Sequence, residues 1–128
     1  MTSLLSNSRR PDVSFYKKGT IDISSRIAKQ LSLADGDVID VLEHNGEYLL
    51  YVRHKRDNII GRYEGLVHPI HNKKSFTNRF RVYSRKLTEA IFRVAGREEA
   101  ALLHLPAGLP VNVAGIGIAI PLITRNPL

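Results

Sequence analysis

Short runs of alternating hydrophobic and polar residues recur along the chain, and this period of two is typical of β-strands. In the first half, the pattern predicts four strands, at Val13–Tyr16, Thr20–Ile23, Val38–Leu42 and Tyr48–Val52. Asn45-Gly46, between the last two, predicts a tight hairpin because this pair tolerates the positive φ of such a turn. Tyr48–Val52 is apolar throughout, so we expect both faces of that strand to be buried.

A helical period interrupts the strand pattern twice. Ser24 and Ser25 can cap a short helix at Arg26–Leu31, and Ser84 can cap a longer one from Arg85 to about Ala95. Apolar residues three and four positions apart place one face of the longer helix against the core: Leu87, Ala90, Ile91 and Val94.

Further strands are predicted around the second helix, at Arg79–Tyr83, Ala100–Leu105 and, as one or two strands, Val111–Thr124. The middle segment, His54 to Asn78, is polar, basic and rich in turn residues, with two short strands expected near Asn58–Arg62 and Gly65–His68. The predicted fold class is therefore mainly β with two short helices (β+α).

The two halves of the chain resemble each other when one is shifted by 60 residues. Five positions then correspond: Ser24 with Ser84, Arg26 with Lys86, Ile27 with Leu87, Leu31 with Ile91, and Gly36 with Gly96. This similarity indicates a possible tandem duplication. The expected organisation is a flexible tail (1–12), a first unit (13–53), a basic connecting segment (54–78) and a second unit (79–128).

Charge is distributed unevenly. The chain has 19 Lys+Arg and 12 Asp+Glu, a formal net charge of +7. Between Arg53 and Lys86, ten basic residues face only Asp57 and Glu64, so this stretch carries +8 and the remainder −1. Because each neutralised phosphate releases counterions, such a stretch favours a nucleic acid as partner.

The amino-acid composition limits the types of site that the chain can form and indicates its cellular compartment. The chain has no cysteine, which excludes disulfides and Cys-based zinc sites and fits a reducing compartment. The longest apolar run, Val111–Ile123, is interrupted by polar residues, glycine and proline and is shorter than the roughly 20 residues of a transmembrane helix. Met1–Asp12 has no apolar stretch of signal-peptide length. We expect a cytoplasmic protein that does not bind membranes.

Catalytic and metal-binding patterns are weak. His68 and His71 could approach one metal ion, but Pro69 between them and the lack of a nearby cysteine or acidic partner favour surface histidines. There is no Gly-x-Ser-x-Gly motif, and Asp35 and Asp37 flank a turn glycine, where we expect exposed rather than buried carboxylates. We therefore expect no catalytic residue, no metal, no cofactor and no enzyme activity.

The segment Gly19 to Tyr51, about a quarter of the chain, resembles the AbrB/SpoVT/MazE-type swapped-hairpin family. Its motif parts follow in order: the strand Gly19-Thr20-Ile21-Asp22-Ile23, the helix Ser25–Leu31, the turn Leu33–Asp37, and the hairpin strands Val38–Val41 and Tyr48–Leu50. The resemblance extends over about residues 13–53, with a possible degenerate second copy at about 79–125. Two positions depart from the family pattern, since Asp22 stands where an apolar residue is usual and Ser24 where proline is usual.

The resemblance implies a β-barrel of interleaved hairpins, usually from two chains, and hence a homodimer. It also implies binding of duplex DNA by basic residues before the strand and on the short helix, here Lys17, Lys18, Arg26 and Lys29. The second copy would contribute Arg79, Arg81, Arg85 and Lys86. With the basic residues of the middle segment, the candidate DNA-binding set also includes Arg53, Lys55, Arg56, Arg62, Lys73 and Lys74.

Two functions follow from these observations. The first is a DNA-binding protein, a transcriptional regulator that meets duplex DNA through a basic surface. The alternative is a protein-interaction module, antitoxin-like or a phage or plasmid accessory protein, that binds an acidic partner protein. Four aromatic residues between the cations could stack on exposed bases or belong to the core: Tyr63, Phe76, Phe80 and Tyr83.

Overall fold

A computed structural model describes residues 11–55, 65–70 and 79–125. In these ranges the elements follow in the order β1 (Val13–Tyr16), β2 (Thr20–Ile23), α1 (Ser25–Gln30), β3 (Val38–His44), β4 (Glu47–Arg53), β5 (Val67–Pro69), β6 (Phe80–Tyr83), α2 (Arg85–Val94), β7 (Leu102–Leu105), β8 (Val111–Val113) and β9 (Gly117–Leu122). The predicted class, mainly β with two short helices, is confirmed. The strand expected near Asn58–Arg62 lies outside the described residues.

The strands form two antiparallel sheets. The first has the order β5-β6-β2-β1-β7 and the second the order β3-β4-β9-β8. An isolated bridge between Val38 and Leu66 links the start of β3 to the segment before β5. Over the described residues neither sheet closes on itself, so the barrel that the resemblance implies is not confirmed.

Both helices begin at the predicted serines. The Ser24 hydroxyl accepts a hydrogen bond from the Ile27 N–H (3.4 Å), and the Ser84 hydroxyl accepts one from the Leu87 N–H (3.1 Å). A side-chain oxygen at this position satisfies an N–H group that has no partner within the helix.

The buried stripe of α2 differs from the predicted one. Ile91 is buried as expected, but Thr88 and Phe92 are also buried while Val94 is 37 % exposed. The stripe is therefore rotated toward residues 88 and 92, and α2 contacts β2 of the first sheet.

The core lies between the inner faces of the two sheets and the helices. Ile21, Val82 and Phe15 face inward from the first sheet, and Leu50 and Ile120 from the second. Leu49 and Leu50 are each 1 % exposed. Since neighbouring side chains on a strand point to opposite faces, both faces of β4 are buried at its centre, as predicted.

The pairing of β2 with β6 has a symmetrical register. Thr20 lies opposite Tyr83, and Ile23 lies opposite Phe80. Under the 60-residue shift, position 20 corresponds to position 80 and position 23 to position 83. The pair Thr20–Tyr83 therefore corresponds to the pair Phe80–Ile23, and the two pairs are equivalent. The register of β2 and β6 is thus the one that a two-fold axis between the two predicted units would produce.

The outer face of the first sheet positions the candidate site. Because Ile21 and Val82 face the core, their strand neighbours Asp22, Arg81 and Tyr83 project from the opposite face. Helix α1 starts directly after β2, and α2 directly after β6. As these strands are antiparallel, the two helices start at opposite ends of the pair, beyond strand ends that are about 10 Å apart along the strands.

Candidate nucleic-acid interface

Every predicted DNA-binding residue that the structure describes is exposed. These residues are Lys17, Lys18, Arg26, Lys29, Arg53, Lys55, Arg79, Arg81, Arg85 and Lys86. The other four, Arg56, Arg62, Lys73 and Lys74, lie outside the described residues. Exposed cations can bind one ligand together only where they lie close to each other. The contacts between the segments that carry them show which cations do so.

The turn between β1 and β2 lies directly against the start of α2. The Ser84 N–H donates to the Gly19 carbonyl oxygen at 2.8 Å. A Cβ atom on Gly19 would lie 2.9 Å from the Tyr83 ring and 3.2 Å from Arg85 Cγ. Gly19 also has a φ of +113°, which only glycine adopts readily. Lys17 and Lys18, on this turn, are therefore neighbours of Arg85.

A second contact brings β4 to the same helix start. A cavity of about 360 Å³ lies between β3, β4 and α2, and Arg53 and Lys86 both line it, together with Ile39 and Leu87. Cations from three distant segments thus surround the beginning of α2. We call this group the α2 basic cluster: Lys17, Lys18, Arg53, Arg85 and Lys86.

Carboxylates lie near part of the α2 basic cluster, since Glu89 and Glu98 line a cavity of about 250 Å³ together with Lys17. The first turn of α2 has no acidic residue. Among the residues that the structure describes, no carboxylate lies within 4.0 Å of the charged nitrogens of Lys17, Lys18, Arg85 or Lys86. Asp40 lines the same cavity as Lys86 and adds a negative charge there, and its oxygens accept hydrogen bonds from the Val41 N–H (2.7 Å) and the Tyr51 hydroxyl (3.4 Å). Arg85 and Lys86 also oppose the dipole of the helix they begin.

The cations at the start of α1 are held differently. Arg26 Nη2 lies 2.7 Å from Asp12 Oδ1. Arg81 donates to Asp22 twice, from Nε to Oδ1 at 2.7 Å and from Nη2 to Oδ2 at 3.2 Å. The hydrogen bond and the charge of Asp22 raise the pKa of Arg81. We call Arg26 and Arg81 the ion-paired arginines.

Asp12 and Asp22 are buried ion-pair partners that the sequence did not predict. Asp12 is 4 % exposed, and it also accepts a hydrogen bond from the Ala107 N–H at 2.7 Å. Asp22 is 7 % exposed, opposite Arg81 on the neighbouring strand. The only signal in the sequence was the departure of Asp22 from the apolar residue that the resemblance leads one to expect.

Lys29, Lys55 and Arg79 occupy other positions. Lys29 lies in the last turn of α1, where a cation is favourable to the helix dipole. Arg79, with Asp22 and Ser24, lines a hollow of about 240 Å³ near the start of α1. The side chain of Lys55 lies against Gly36, and its backbone N–H donates to Asp37. None of the described contacts joins these three to the α2 basic cluster.

Asp37 corrects the expectation of an exposed carboxylate beside the turn glycine. It is 2 % exposed and accepts hydrogen bonds from the backbone N–H groups of Ala34 (2.9 Å) and Lys55 (2.8 Å), and its Oδ2 lies 3.0 Å from His54 Nδ1. Burial by itself would raise the pKa of Asp37. The two backbone hydrogen bonds and His54 outweigh burial and hold that pKa below its ordinary value of 3.8.

The aromatic candidates separate into two groups. Phe80 is 9 % exposed and belongs to the core, whereas Tyr83 is 60 % exposed and lies against Gly19 within the α2 basic cluster. Tyr63 and Phe76 lie outside the described residues. Tyr83 is thus the described aromatic side chain that is placed to contact a ligand of this cluster.

Metal and membrane features were sought in the same ranges. Within residues 11–55, 65–70 and 79–125, no three His, Asp or Glu side chains are grouped so that they could hold a metal ion. His68 lies 3.7 Å from Asp35, with both side chains exposed, and His71 is outside the described residues. Neither described helix has the length and apolar character needed to cross a membrane.

Comparison of the chain with protein-family models, with curated proteins and with solved structures yields no match. The roles of these residues therefore rest on their chemistry and geometry. The geometry defines a basic surface on a two-sheet β+α fold, centred on the first turn of α2.

Proposed function

We propose that this protein binds duplex DNA through the α2 basic cluster and acts as a transcriptional regulator. The observation that carries the proposal is the convergence of residues 17–18, 53 and 85–86 on one helix start. Five cations on adjoining surface release several counterions when phosphates replace them, and this release supplies much of the affinity of proteins for DNA.

The electrostatics of the helix support the same conclusion. A cation in the first turn of a helix is mildly unfavourable because the dipole is positive there, and the first turn of α2 has two cations and no acidic residue. A phosphate oxygen at this position would be attracted by the cations and by the free N–H groups of the first turn. Contacts of this kind fix the position of the protein on DNA without reading sequence.

The ion-paired arginines contribute less to the proposed interface. Asp12 and Asp22 already provide Arg26 and Arg81 with charged partners at 2.7 Å. A phosphate that bound either arginine would approach a carboxylate as well, and the repulsion would offset part of the attraction. The proposed interface therefore contains fewer basic residues than the set predicted from the sequence.

We propose further that the chain contains two swapped-hairpin-like units in tandem. The β2–β6 register supports this, since it exchanges positions related by the 60-residue shift. In the other sheet, β4 of the first unit pairs with β9 of the second, with β3 and β8 outside them. The two units thus meet in both sheets, at β2 and β6 in the first and at β4 and β9 in the second, and β5 pairs with β6 as β1 pairs with β2.

A salt titration of duplex DNA binding tests the proposed function. Labelled duplex of random sequence is titrated with the full chain by fluorescence anisotropy between about 50 and 200 mM salt. We expect a plot of log affinity against log salt with a slope of about −4, as four to five phosphate contacts predict. Absence of binding at the lowest salt would contradict DNA binding and favour the alternative, an acidic partner protein on the same cluster.

A further inference from the structure

The cavity that Lys17 lines combines charged, polar and apolar residues. It has a volume of about 250 Å³ and is lined by two cations, two carboxylates, a threonine and a phenylalanine: Lys17, Arg93, Glu89, Glu98, Thr88 and Phe92. Helix α2 supplies four of these residues, the β1–β2 turn supplies Lys17, and the segment between α2 and β7 supplies Glu98. Because pockets for drug-sized ligands have volumes of about 300 to 1,000 Å³, this cavity suits a smaller ligand.

Backbone hydrogen bonds hold the three segments around this cavity in place. The Lys17 N–H donates to the Ala101 carbonyl oxygen at 3.0 Å, which ties the β1–β2 turn to the segment before β7. The Arg97 N–H donates to the Phe92 carbonyl oxygen at 2.9 Å, so Glu98 follows a turn that is fixed to the end of α2. The cavity is therefore formed by the fold itself.

The four charged side chains at the cavity are not paired with each other. Among the residues that the structure describes, no oppositely charged group lies within 4.0 Å of the charged groups of Lys17, Glu89, Arg93 or Glu98. Glu89 and Arg93 are four residues apart on α2, a spacing that favours an ion pair, yet neither is used in one. A ligand with both charges would satisfy cations and carboxylates together, whereas a ligand with one charge would meet two groups of its own sign.

Thr88 and Phe92 add a buried hydroxyl and an apolar surface. Thr88 is 1 % exposed, and its hydroxyl oxygen has no hydrogen-bond partner among the described residues. A buried hydroxyl without a partner destabilises a fold, so its presence requires a reason. Threonine takes two rotamers in a helix, so this hydroxyl can turn to a ligand in the cavity. Phe92 is buried and would contact an apolar part of such a ligand.

We infer that this cavity binds a free α-amino acid with an apolar side chain. The two cations bind its carboxylate, the two carboxylates bind its ammonium group, and Phe92 contacts its side chain. The Thr88 hydroxyl donates to the carboxylate of the ligand. An α-amino acid carries its two charges close together, as the separation of Glu89 and Arg93 by one helical turn requires, with Cβ atoms about 5–6 Å apart.

Isothermal titration calorimetry of the full chain with L-leucine tests this inference without DNA, so the site can fail while the proposed function holds. We expect a Kd of about 1 mM or lower. Two analogues each lack one charge: isocaproate is leucine without its amino group, and isoamylamine is leucine without its carboxyl group. Each should bind about tenfold more weakly, because it loses charge-assisted hydrogen bonds. No binding at about 10 mM leucine, or equal affinity for all three compounds, would overturn the inference.

An arginine variant tests the position of the site. Arg93→Gln should weaken leucine binding about tenfold, because it removes one of the cations that bind the carboxylate. Arg97→Gln is the matched control, since Arg97 is exposed just after α2 and does not line the cavity. Both variants remove one positive charge. Unchanged affinity in Arg93→Gln, or the same loss in both variants, would place leucine elsewhere and contradict the inference.

Thr88→Val tests the buried hydroxyl. Without ligand, this variant should melt at the same temperature as the wild type or higher, because it removes a buried hydroxyl that has no partner. Its affinity for leucine should fall, because the hydrogen bond to the ligand is lost. A lower melting temperature would show that the hydroxyl has a partner within the protein, and an unchanged affinity would show that it does not contact the ligand; either result contradicts the assigned site. Circular dichroism spectra confirm that the arginine variants are folded.

Discussion

Asp22 and Arg81 lie directly opposite each other on β2 and β6 and are joined by two hydrogen bonds, of 2.7 and 3.2 Å. They are 59 residues apart in the chain and come from different predicted units. The Asp22 side chain is 8 % exposed and that of Arg81 is 55 % exposed. The pair therefore gives a nearly buried carboxylate the partner that it requires and fixes the register of the central strands.

Arg81→Gln should destabilise the protein by about 1 kcal/mol, because it leaves the carboxylate of Asp22 without its charged partner. Because the Arg81 side of the ion pair is exposed, water can solvate part of the Asp22 carboxylate in this variant, and this limits the loss of stability. Addition of Asp22→Asn should restore most of the stability, since the carboxylate is then removed as well. Urea denaturation of the single and double variants measures both effects. If Arg81→Gln were as stable as the wild type, the ion pair would not stabilise the fold.

Gly19→Ala should destabilise the protein by about 1–2 kcal/mol and weaken DNA binding. The added Cβ would meet the Tyr83 ring at 2.9 Å and would also force alanine into a φ of +113°. The turn that carries Lys17 and Lys18 would then move away from Arg85.

Gly115→Ala is the control for this variant. Gly115 has a φ of +83°, but among the described residues no atom would lie within 4 Å of its Cβ, apart from its chain neighbours. It should lose stability without losing affinity for DNA. Thermal melting and anisotropy titration measure the two properties, and an equal loss of affinity in both variants would contradict the proposed contact between the turn and α2.

Asp37→Asn should lower the free energy of unfolding by about 1–2 kcal/mol at pH 7, because an amide oxygen cannot accept both backbone hydrogen bonds that the two carboxylate oxygens accept. The pKa of Asp37 is lower in the folded state than its ordinary value of 3.8. The stabilisation is therefore complete well above pH 4 and is lost as the pH falls through the folded-state pKa.

Urea denaturation at several pH values between 7 and 3 measures this difference. The gap between the wild type and Asp37→Asn should narrow below about pH 4. Asp35→Asn is the matched control, because the Asp35 side chain is 70 % exposed, and its stability should follow that of the wild type. A gap that stays constant down to pH 3 would show that the ionised carboxylate is not what stabilises this turn.

Features that depend on neighbouring residues were predictable from the sequence. The caps at Ser24 and Ser84 were predicted because a serine before an apolar helical pattern is a local signal. The hairpin at Asn45-Gly46 was predicted for the same reason, and Asn45 has the positive φ of 52° that such a turn requires.

Features that depend on distant pairing were not predictable. The partner of Asp22 is on another strand, and its identity depends on the β2–β6 register, which the sequence does not specify. Asp37 was predicted to be exposed, because a carboxylate beside a turn glycine usually is, yet the backbone of Lys55 returns to bury it. The convergence of Lys18, Arg53 and Lys86 likewise requires the contacts of three elements with one helix start.

The most direct test of the proposed interface compares two double variants that remove the same charge. Lys18→Gln with Lys86→Gln removes two members of the α2 basic cluster, and Arg26→Gln with Arg81→Gln removes the ion-paired arginines; each lowers the formal net charge from +7 to +5. The salt dependence of duplex DNA binding is measured for both, after circular dichroism shows that they are folded. We predict that the first double variant reduces the magnitude of the log–log slope by about 2 and that the second changes it by less than about 0.5. Equal changes in the two variants would contradict binding centred on the start of α2.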